Sequence, residues 1–344
     1  MAPSPIWHPD RLAARLPFLR RRARLTAATR AFFTARGYTE VETPYAVPAP
    51  GEDVHLRAVR ADRTRPDGTV DPLWLHTSPE FAMKRLLAGG AGPIFQLARV
   101  WRDGEGSATH APEFTMLEWY RPGASMAELM AETAAFLRAV LPPVVTCRGV
   151  RTDLAGFERL TLADAFARHA GADLLGTAGD AAALAAAAGV RLRDGETWED
   201  LFFRLLLERV EPRIGRDRPT FLTHWPAAQA ALARRDPADP RVALRFELFV
   251  CGIELANAFE ELTDPAEQRA RFLADRAQRH ASYGPQLGPD RGPDWPLDED
   301  FLAALEHGMP PCAGIALGFD RLAMLAAGAD RIGQVLWLPP ADLA

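Results

Sequence analysis

Lysine is nearly absent from this chain: of the 40 basic residues among 344 only Lys84 is a lysine, the others being arginine. Apart from Lys84 there is no amine to form a Schiff base, and without a Gly-Lys-Ser/Thr triplet no phosphate-binding P-loop is available. Cysteine is scarce as well. Cys147, Cys251 and Cys312 are widely spaced and odd in number, which disfavours both a structural zinc site and a disulfide framework. No apolar run approaches the roughly 18 residues of a membrane span. The start, MAPSPIWHPDRLAARL, carries proline and charge where a signal peptide is apolar, so a cytoplasmic protein without membrane contact is expected. Nor is there an excess of positive charge. A net charge of -5 and a pI near 5.9 provide no bulk field for nucleic acid, and a tRNA partner would need a local basic patch.

What is present is an ordinary globular composition, 48% hydrophobic and 25% charged, enough for one large core or two moderate ones. There are no internal repeats and no low-complexity linker, so residues 1–344 read as one elaborated domain. A helix is expected over 11–36, ended by Gly37, with Pro17 breaking or beginning it. Tyr38–Pro44 and VHLRAVRA read as short strands, the second running to an Asp67-Gly68 turn. LWLHTSPEFAMKRLLAGG reads as a strand feeding a helix, with Ser78 fitted to the N-cap, Pro79 to the first helical position and Gly89 to the end. Further helices are expected near 125–140, 161–169, 179–188 and 197–210, the last opened by a Thr197-x-x-Asp200 capping box.

The most informative stretch is GPIFQLARVWRDGEGSATHAPEFTMLEWY. Strand-like runs over about 94–102 and 113–120 flank a polar loop, the pattern of an antiparallel hairpin with a long functional connection. Period-two counting places Phe114, Met116, Glu118 and Tyr120 on one face and Thr115, Leu117 and Trp119 on the other. The first face is either the floor of a polar-ligand site or a solvated outer surface. RFELFVCGIELANAFEEL reads as two strands turning near Val250 to Gly252, which sets Glu247 and Glu254 roughly opposite each other unless a bulge at Gly252 shifts the register. Two close carboxylates repel, so a divalent metal is expected there. The C-terminal MPPCAGIALGFDRLAMLAAGA is a glycine-rich strand running into a helix that stops at Gly328. Gly314 and Gly318 leave room for a planar ligand or another backbone to approach closely, and Arg321, near the helix start, either lies across such a ligand or is an ordinary surface arginine.

These pieces follow the order of the three motifs of class II aminoacyl-tRNA synthetases. The first is the helix plus GYTEVETP (about 20–44), the second RVWRDGEGSATHAPEFTMLEWY (within about 94–120), and the third GIALGFDRLAML (about 314–328). The phrases TSPEFAMKRLL, APEFTMLEWY, GIELANAFEELTD and ALGFDR closely resemble the lysyl-tRNA synthetase branch, from about residue 15 to 335. Since the first motif's helix begins within the first 25 residues, no room is expected for the anticodon-binding OB domain that precedes the core in that branch. A stand-alone core of this kind, with LEWYR after the second motif, resembles the elongation factor P lysine ligase family.

The resemblance implies an α+β fold, a mostly antiparallel sheet of about six strands flanked by helices, dimeric through the first motif. It implies ATP-dependent activation of lysine or (R)-β-lysine to its adenylate, and transfer to the ε-amine of a lysine on elongation factor P, with tRNA left uncharged. Carried over residue by residue, Arg102 holds the α-phosphate and His110 faces the distal phosphates. Phe114 and Arg321 sandwich adenine beside the small Gly318, making Arg102 and Arg321 the catalytic pair. Asp103, Gly104, Glu105, Ala111, Glu254 and Leu255 complete the ATP positions, and Glu247 and Glu254 hold Mg2+ bridging the phosphates. Ser78, Glu80, Glu118, Tyr120, Asn257 and Glu261 match the positions that receive the substrate's two ammonium groups. Ala316 stands where lysyl-tRNA synthetases carry glycine on the pocket wall.

The loop departs from the family pattern. Arg-Asn-Glu becomes Arg102-Asp103-Gly104, losing the carboxylate that reads the adenine amino group, for which Glu105 can substitute; His-Asn-Pro becomes His110-Ala111-Pro112, losing an amide. The competing classes are a tRNA- or small-molecule-charging enzyme and a non-catalytic synthetase paralogue.

Overall fold

The computed structural model describes residues 5–230, 232–284 and 295–340. The chain forms two compact units, one of residues 1–124 with 262–344 and the other of residues 125–261. In the first unit the strand order is Thr39–Glu40, Ile94–Trp101, Glu113–Pro122, Cys312–Gly318; the first pair is parallel and the others antiparallel. In the second it is Ile253–Glu260, Val242–Val250, Thr220–Pro226, Glu158–Thr161, parallel only at the last pair. Helices flank the strands in both, and the expected mostly antiparallel α+β architecture is what forms. The eight strands of these two sets exceed the expected six by the short outer members Thr39–Glu40 and Glu158–Thr161.

The first helix runs unbroken over Pro9–Thr34, with Pro17 inside it. Proline removes one helical hydrogen bond, but Pro17 and Ala13, whose carbonyl loses its donor, are both exposed residues, so the loss falls on the solvent side of the helix and not in the core. The buried stripe of this helix, Arg15, Leu19, Arg22, Leu25, Thr29, Phe32 and Phe33, has the three-four spacing of a core face and includes two arginines. Each is compensated: Arg15 donates to the carbonyls of Gly333 at 3.0 Å and of Leu336, and Arg22 pairs with Asp320. Tyr38–Pro44 contributes only the two-residue strand Thr39–Glu40, and VHLRAVRA only Val59–Arg60; proline at 44 and an irregular stretch before 59 leave no ladder to extend. The Asp67-Gly68 turn is present, with Gly68 at φ +87° closing the hairpin of Arg63–Thr64 and Val70–Asp71.

The helix after Ser78 spans Glu80–Ala88, with Pro79 rather than Ser78 in the cap position. Ser78 still accepts the Glu80 backbone N–H at 3.0 Å, so it serves the helix end from one residue further out. On the Glu113–Pro122 strand, Trp119 meets Phe33 of the first helix at 5.0 Å, and this covers the Thr115, Leu117, Trp119 face. The opposite face is not a solvated surface, because Glu118 is fully buried and Tyr120 nearly so. Within the second unit, Phe166, Phe202, Leu222, Trp225 and Phe249 form a core of its own, and the Thr197 and Asp200 capping box opens the Trp198–Leu205 helix as expected.

Candidate active site

The strand Glu113–Pro122 lies between Ile94–Trp101 and Cys312–Gly318, and the register sets Glu118 opposite Gln96 on one side and Ala316 on the other. Glu118 accepts hydrogen bonds from Ser78 Oγ at 2.6 Å and from the Tyr120 hydroxyl at 2.9 Å. Nearby, the fully buried ammonium of Lys84 binds Glu80 at 2.6 Å, one helical turn apart. Burial, and then the charge of Glu80, push the Glu118 carboxyl up to about 8, against which the two hydroxyls and Lys84 act only partly. A buried carboxyl in this state is a receptor for a cation: an arriving ammonium ion supplies the charge that makes ionisation favourable.

A pH dependence follows. The folded-state pKa of Glu118 lies above its ordinary value of 4.5, so the associated stability is complete below that value and is lost as pH rises through about 8. Glu247 shifts in the same direction, so a comparison with Glu118→Gln isolates the residue. Urea unfolding at about pH 5 and about pH 8.5 should show the unaltered protein losing stability relative to Glu118→Gln across that window. A stability difference that does not change with pH would contradict this environment for Glu118.

In the same unit, Arg102 follows the end of the Ile94–Trp101 strand and Phe114 is the second residue of the next, which brings the Arg102 guanidinium to 5.2 Å from the Phe114 ring centroid. Arg102 Nε is buried without a hydrogen-bond partner among the described residues, and Glu105 Oε1 lies 3.8 Å from Arg102 Nη1. Arg321, the third residue of the Phe319–Ala327 helix, donates to the Thr109 carbonyl at 3.3 Å and to Nε2 of His110. Ser107 Oγ meets the other ring nitrogen of His110 at 2.8 Å. Gly318 precedes that helix, and a Cβ built on it would make ordinary contact with the Arg321 stem at 3.5 Å, so packing against Arg321 does not by itself demand glycine. Ala111 is fully buried, and Gly104 sits at φ +80° with no side chain to offer a ligand. Beneath the set, Asp320 pairs with Arg22 and accepts the Thr115 backbone N–H at 2.7 Å, while Arg22 donates to Thr115 Oγ1 at 3.0 Å. The two residues so tied, Thr115 and Asp320, are the immediate neighbours of Phe114 and Arg321.

In the second unit, Glu247 and Glu254 are not cross-strand partners. Glu254 faces Phe249, because the strands turn at Cys251 and Gly252 and pair Val250 with Ile253, and the register shift between Leu248 and Phe249 then sets Glu247 opposite Asn257. The irregularity thus falls inside the ladder, while Gly252 occupies the turn. The two carboxylates still feel each other: burial and the charge of Glu254 push Glu247 up to about 8, although Arg245 binds Glu247 at 2.7 Å. Arg245 also donates to Asn257 Oδ1 at 3.1 Å, so part of Asn257 is already engaged. Leu255 is buried, and Glu261, 2% exposed, bridges through its backbone to Ala233. Among the described residues no group of three or more His, Cys, Asp or Glu is gathered for a metal. A buried carboxyl, Glu247, beside a half-buried one, Glu254, fits Mg2+, which takes one or two carboxylates and leaves its remaining positions to water and phosphate.

Four residues of these networks escaped the sequence reading: Lys84 as a partner of Glu80, Arg22, Asp320 and Arg245. The signals for two of them were there. Lys84 is four residues after Glu80, and Arg22 falls on the apolar stripe of its helix, where a charge needs a buried counter-charge.

The model of the class II tRNA synthetase family (D, K and N) matches residues 12–342. Among curated proteins, an "Elongation factor P--(R)-beta-lysine ligase" of Klebsiella pneumoniae subsp. pneumoniae is 45% identical over 342 residues, 98% of each chain. Proteins of that name from Pectobacterium carotovorum and Hamiltonella defensa are 45% and 44% identical, covering 98% and 97% of both chains. With nearly its whole length matched, and with Arg102 set beside Phe114 and Arg321 beside His110, the chain belongs to the class II tRNA synthetase family of the D, K and N type.

Proposed function

We propose that this protein uses ATP to activate lysine or (R)-β-lysine as an aminoacyl-adenylate and transfers it to the ε-amine of a lysine on elongation factor P, in the cytoplasm, as a homodimer of single catalytic domains. The observation that carries the reading is that the buried, hydroxyl-bound carboxyl of Glu118 lies in the same unit as the Arg102–Phe114 and His110–Arg321 contacts, on the strand that also carries Phe114. The naming of the relatives supports the acceptor.

In the first step the substrate carboxylate attacks the α-phosphorus of ATP and pyrophosphate leaves. Arg102 holds the charge that builds on the α-phosphate, and His110 meets the distal phosphates. Phe114 and Arg321 clamp the adenine between a ring and a guanidinium. Asp103, Glu105, Ala111, Leu255 and Gly318 shape the rest of the nucleotide site. Glu118, with Ser78 and Tyr120, binds one ammonium of the substrate, and Glu80, Asn257 and Glu261 orient the other polar groups. Glu247 and Glu254 would hold Mg2+, which neutralises phosphate charge when bound. In the second step the acceptor amine attacks the adenylate carbonyl and AMP departs.

The test is ATP–pyrophosphate exchange with α-lysine, (R)-β-lysine and other amino acids, followed by incubation with elongation factor P and with tRNA(Lys). Exchange with a lysine isomer and labelling of elongation factor P are expected. Efficient charging of tRNA with no label on elongation factor P would replace this reading by a tRNA-charging one, and exchange with no amino acid by a non-catalytic one.

Isomer choice is expected to depend on Ala316, whose methyl stands across the strand pair from Glu118. The α- and β-amino groups lie at different distances from the substrate carboxylate, so one methyl can crowd the first and tolerate the second. Ala316→Gly should raise exchange with α-lysine relative to (R)-β-lysine by roughly tenfold, the scale of one methylene in a tight pocket. An unchanged ratio between the isomers would remove Ala316 from selectivity.

A further inference from the structure

Gly104 does more than lack a side chain. A Cβ built on it would lie 2.8 Å from Nη2 and 3.5 Å from Cζ of Arg57, so the space over this glycine is filled by a guanidinium from another part of the first unit. The backbone holds the two segments together, the Asp103 N–H donating to the Arg57 carbonyl at 2.8 Å. The stretch before Arg57 is anchored by a buried ion pair: Glu52 lies 3.6 Å from Arg279, which also donates to the Asp53 carbonyl at 2.9 Å. Arg57 therefore stands at a fixed place beside the residue that follows Asp103. Its side chain is exposed, and among the described residues it has no carboxylate, hydrogen-bond or ring partner. The neighbouring arginines are engaged, Arg60 with Asp62 and both Arg63 and Arg65 with Asp71. A positioned guanidinium left without a partner, laid over the glycine that stands two residues after Arg102, is a donor set waiting for acceptors.

We propose that Arg57 is a nucleotide-contacting residue, its guanidinium laid over Gly104 so that its N–H groups donate to acceptor atoms of the ATP held at Arg102. The inference rests on the ATP-dependent reading above and adds a residue to it. Glycine at 104 is what admits the arginine: the φ of +80° already disfavours any side chain, and a carboxylate there would meet Arg57 and neutralise it. The site thereby exchanges an anionic acceptor for a cationic donor.

The experiment is steady-state ATP–pyrophosphate exchange with the full-length protein and its Arg57→Ala, Arg57→Lys and Gly104→Glu variants. For Arg57→Ala the KM for ATP should rise about tenfold, the scale of one charge-assisted hydrogen bond, with kcat, the KM for the amino acid and the melting temperature unchanged. Arg57→Lys, which keeps the charge and loses the planar fork, should restore the ATP KM if the acceptors are phosphate oxygens and leave it raised if they are ring nitrogens of the base. Gly104→Glu should raise the ATP KM when Arg57 is present and add little when Arg57 is alanine. An ATP KM for Arg57→Ala within twofold of the unaltered protein overturns the inference. Absence of exchange in the unaltered protein is a different result, and it overturns the ATP-dependent reading itself.

Discussion

Replacing Arg102 by alanine should lower ATP–pyrophosphate exchange by about 10²-fold or more, the usual cost of removing one preorganised donor from a transition state that builds charge. The loss should appear mainly in kcat, because the charge on the α-phosphate is greatest as the pentacoordinate phosphorus forms. The fold should survive. Among the described residues the Arg102 side chain contributes a 3.8 Å approach to Glu105 and a contact with the Phe114 ring, and its buried Nε has no hydrogen-bond partner there to lose. Circular dichroism and thermal unfolding should match the unaltered protein while exchange collapses. Near-normal exchange would remove Arg102 from the chemistry, and a collapsed fold would mean that its role is structural.

The second large effect concerns stability. Asp320→Ala leaves Arg22, whose side chain is only 7% exposed, as an unpaired buried cation and also strips the Thr115 N–H of its acceptor. Breaking one side of such a pair costs about 3–5 kcal/mol. Arg22→Met should cost a comparable amount by stranding the carboxylate. The double variant Arg22→Met with Asp320→Leu should be far less destabilised than the two changes summed, because no lone charge remains. Urea unfolding of the three variants measures this directly. Single variants within about 1 kcal/mol of the unaltered protein would mean that the pair is solvated in solution. Since Thr115 and Asp320 adjoin Phe114 and Arg321, the double variant should regain stability and yet bind ATP more weakly.

Local signals were legible wherever a residue's role depends on its neighbours in sequence. The Thr197 and Asp200 box is a matter of one helical turn, and it formed as read. The alternation on 113–120 named the face that carries Phe114, Glu118 and Tyr120, and the hairpin that presents it lies where expected. Pro17 was misleading because a proline's effect depends on whether its helix face meets water, which is a property of the packed helix. Ser78 was read correctly as a helix-end group, but its hydrogen bond to Glu118 joins residues 40 apart.

The sequence by itself determined the family, the order of the three motifs, and the residues proposed to meet ATP and a diamino acid, since these are carried by contiguous phrases and short-range periodicity. Only the tertiary structure decided how those residues are charged and held. The place of the turn set Glu254 opposite Phe249, and the register shift between Leu248 and Phe249 set Glu247 opposite Asn257, pairings that no composition records. The Arg22 and Asp320 pair spans 298 positions, and the elevated pKa of Glu118 arises from burial between two strands and from Glu80 on a separate helix. The seat of Arg57 over Gly104 belongs to the same class. Burial, register and the meeting of distant charges are consequences of packing, and packing is settled by the whole chain at once.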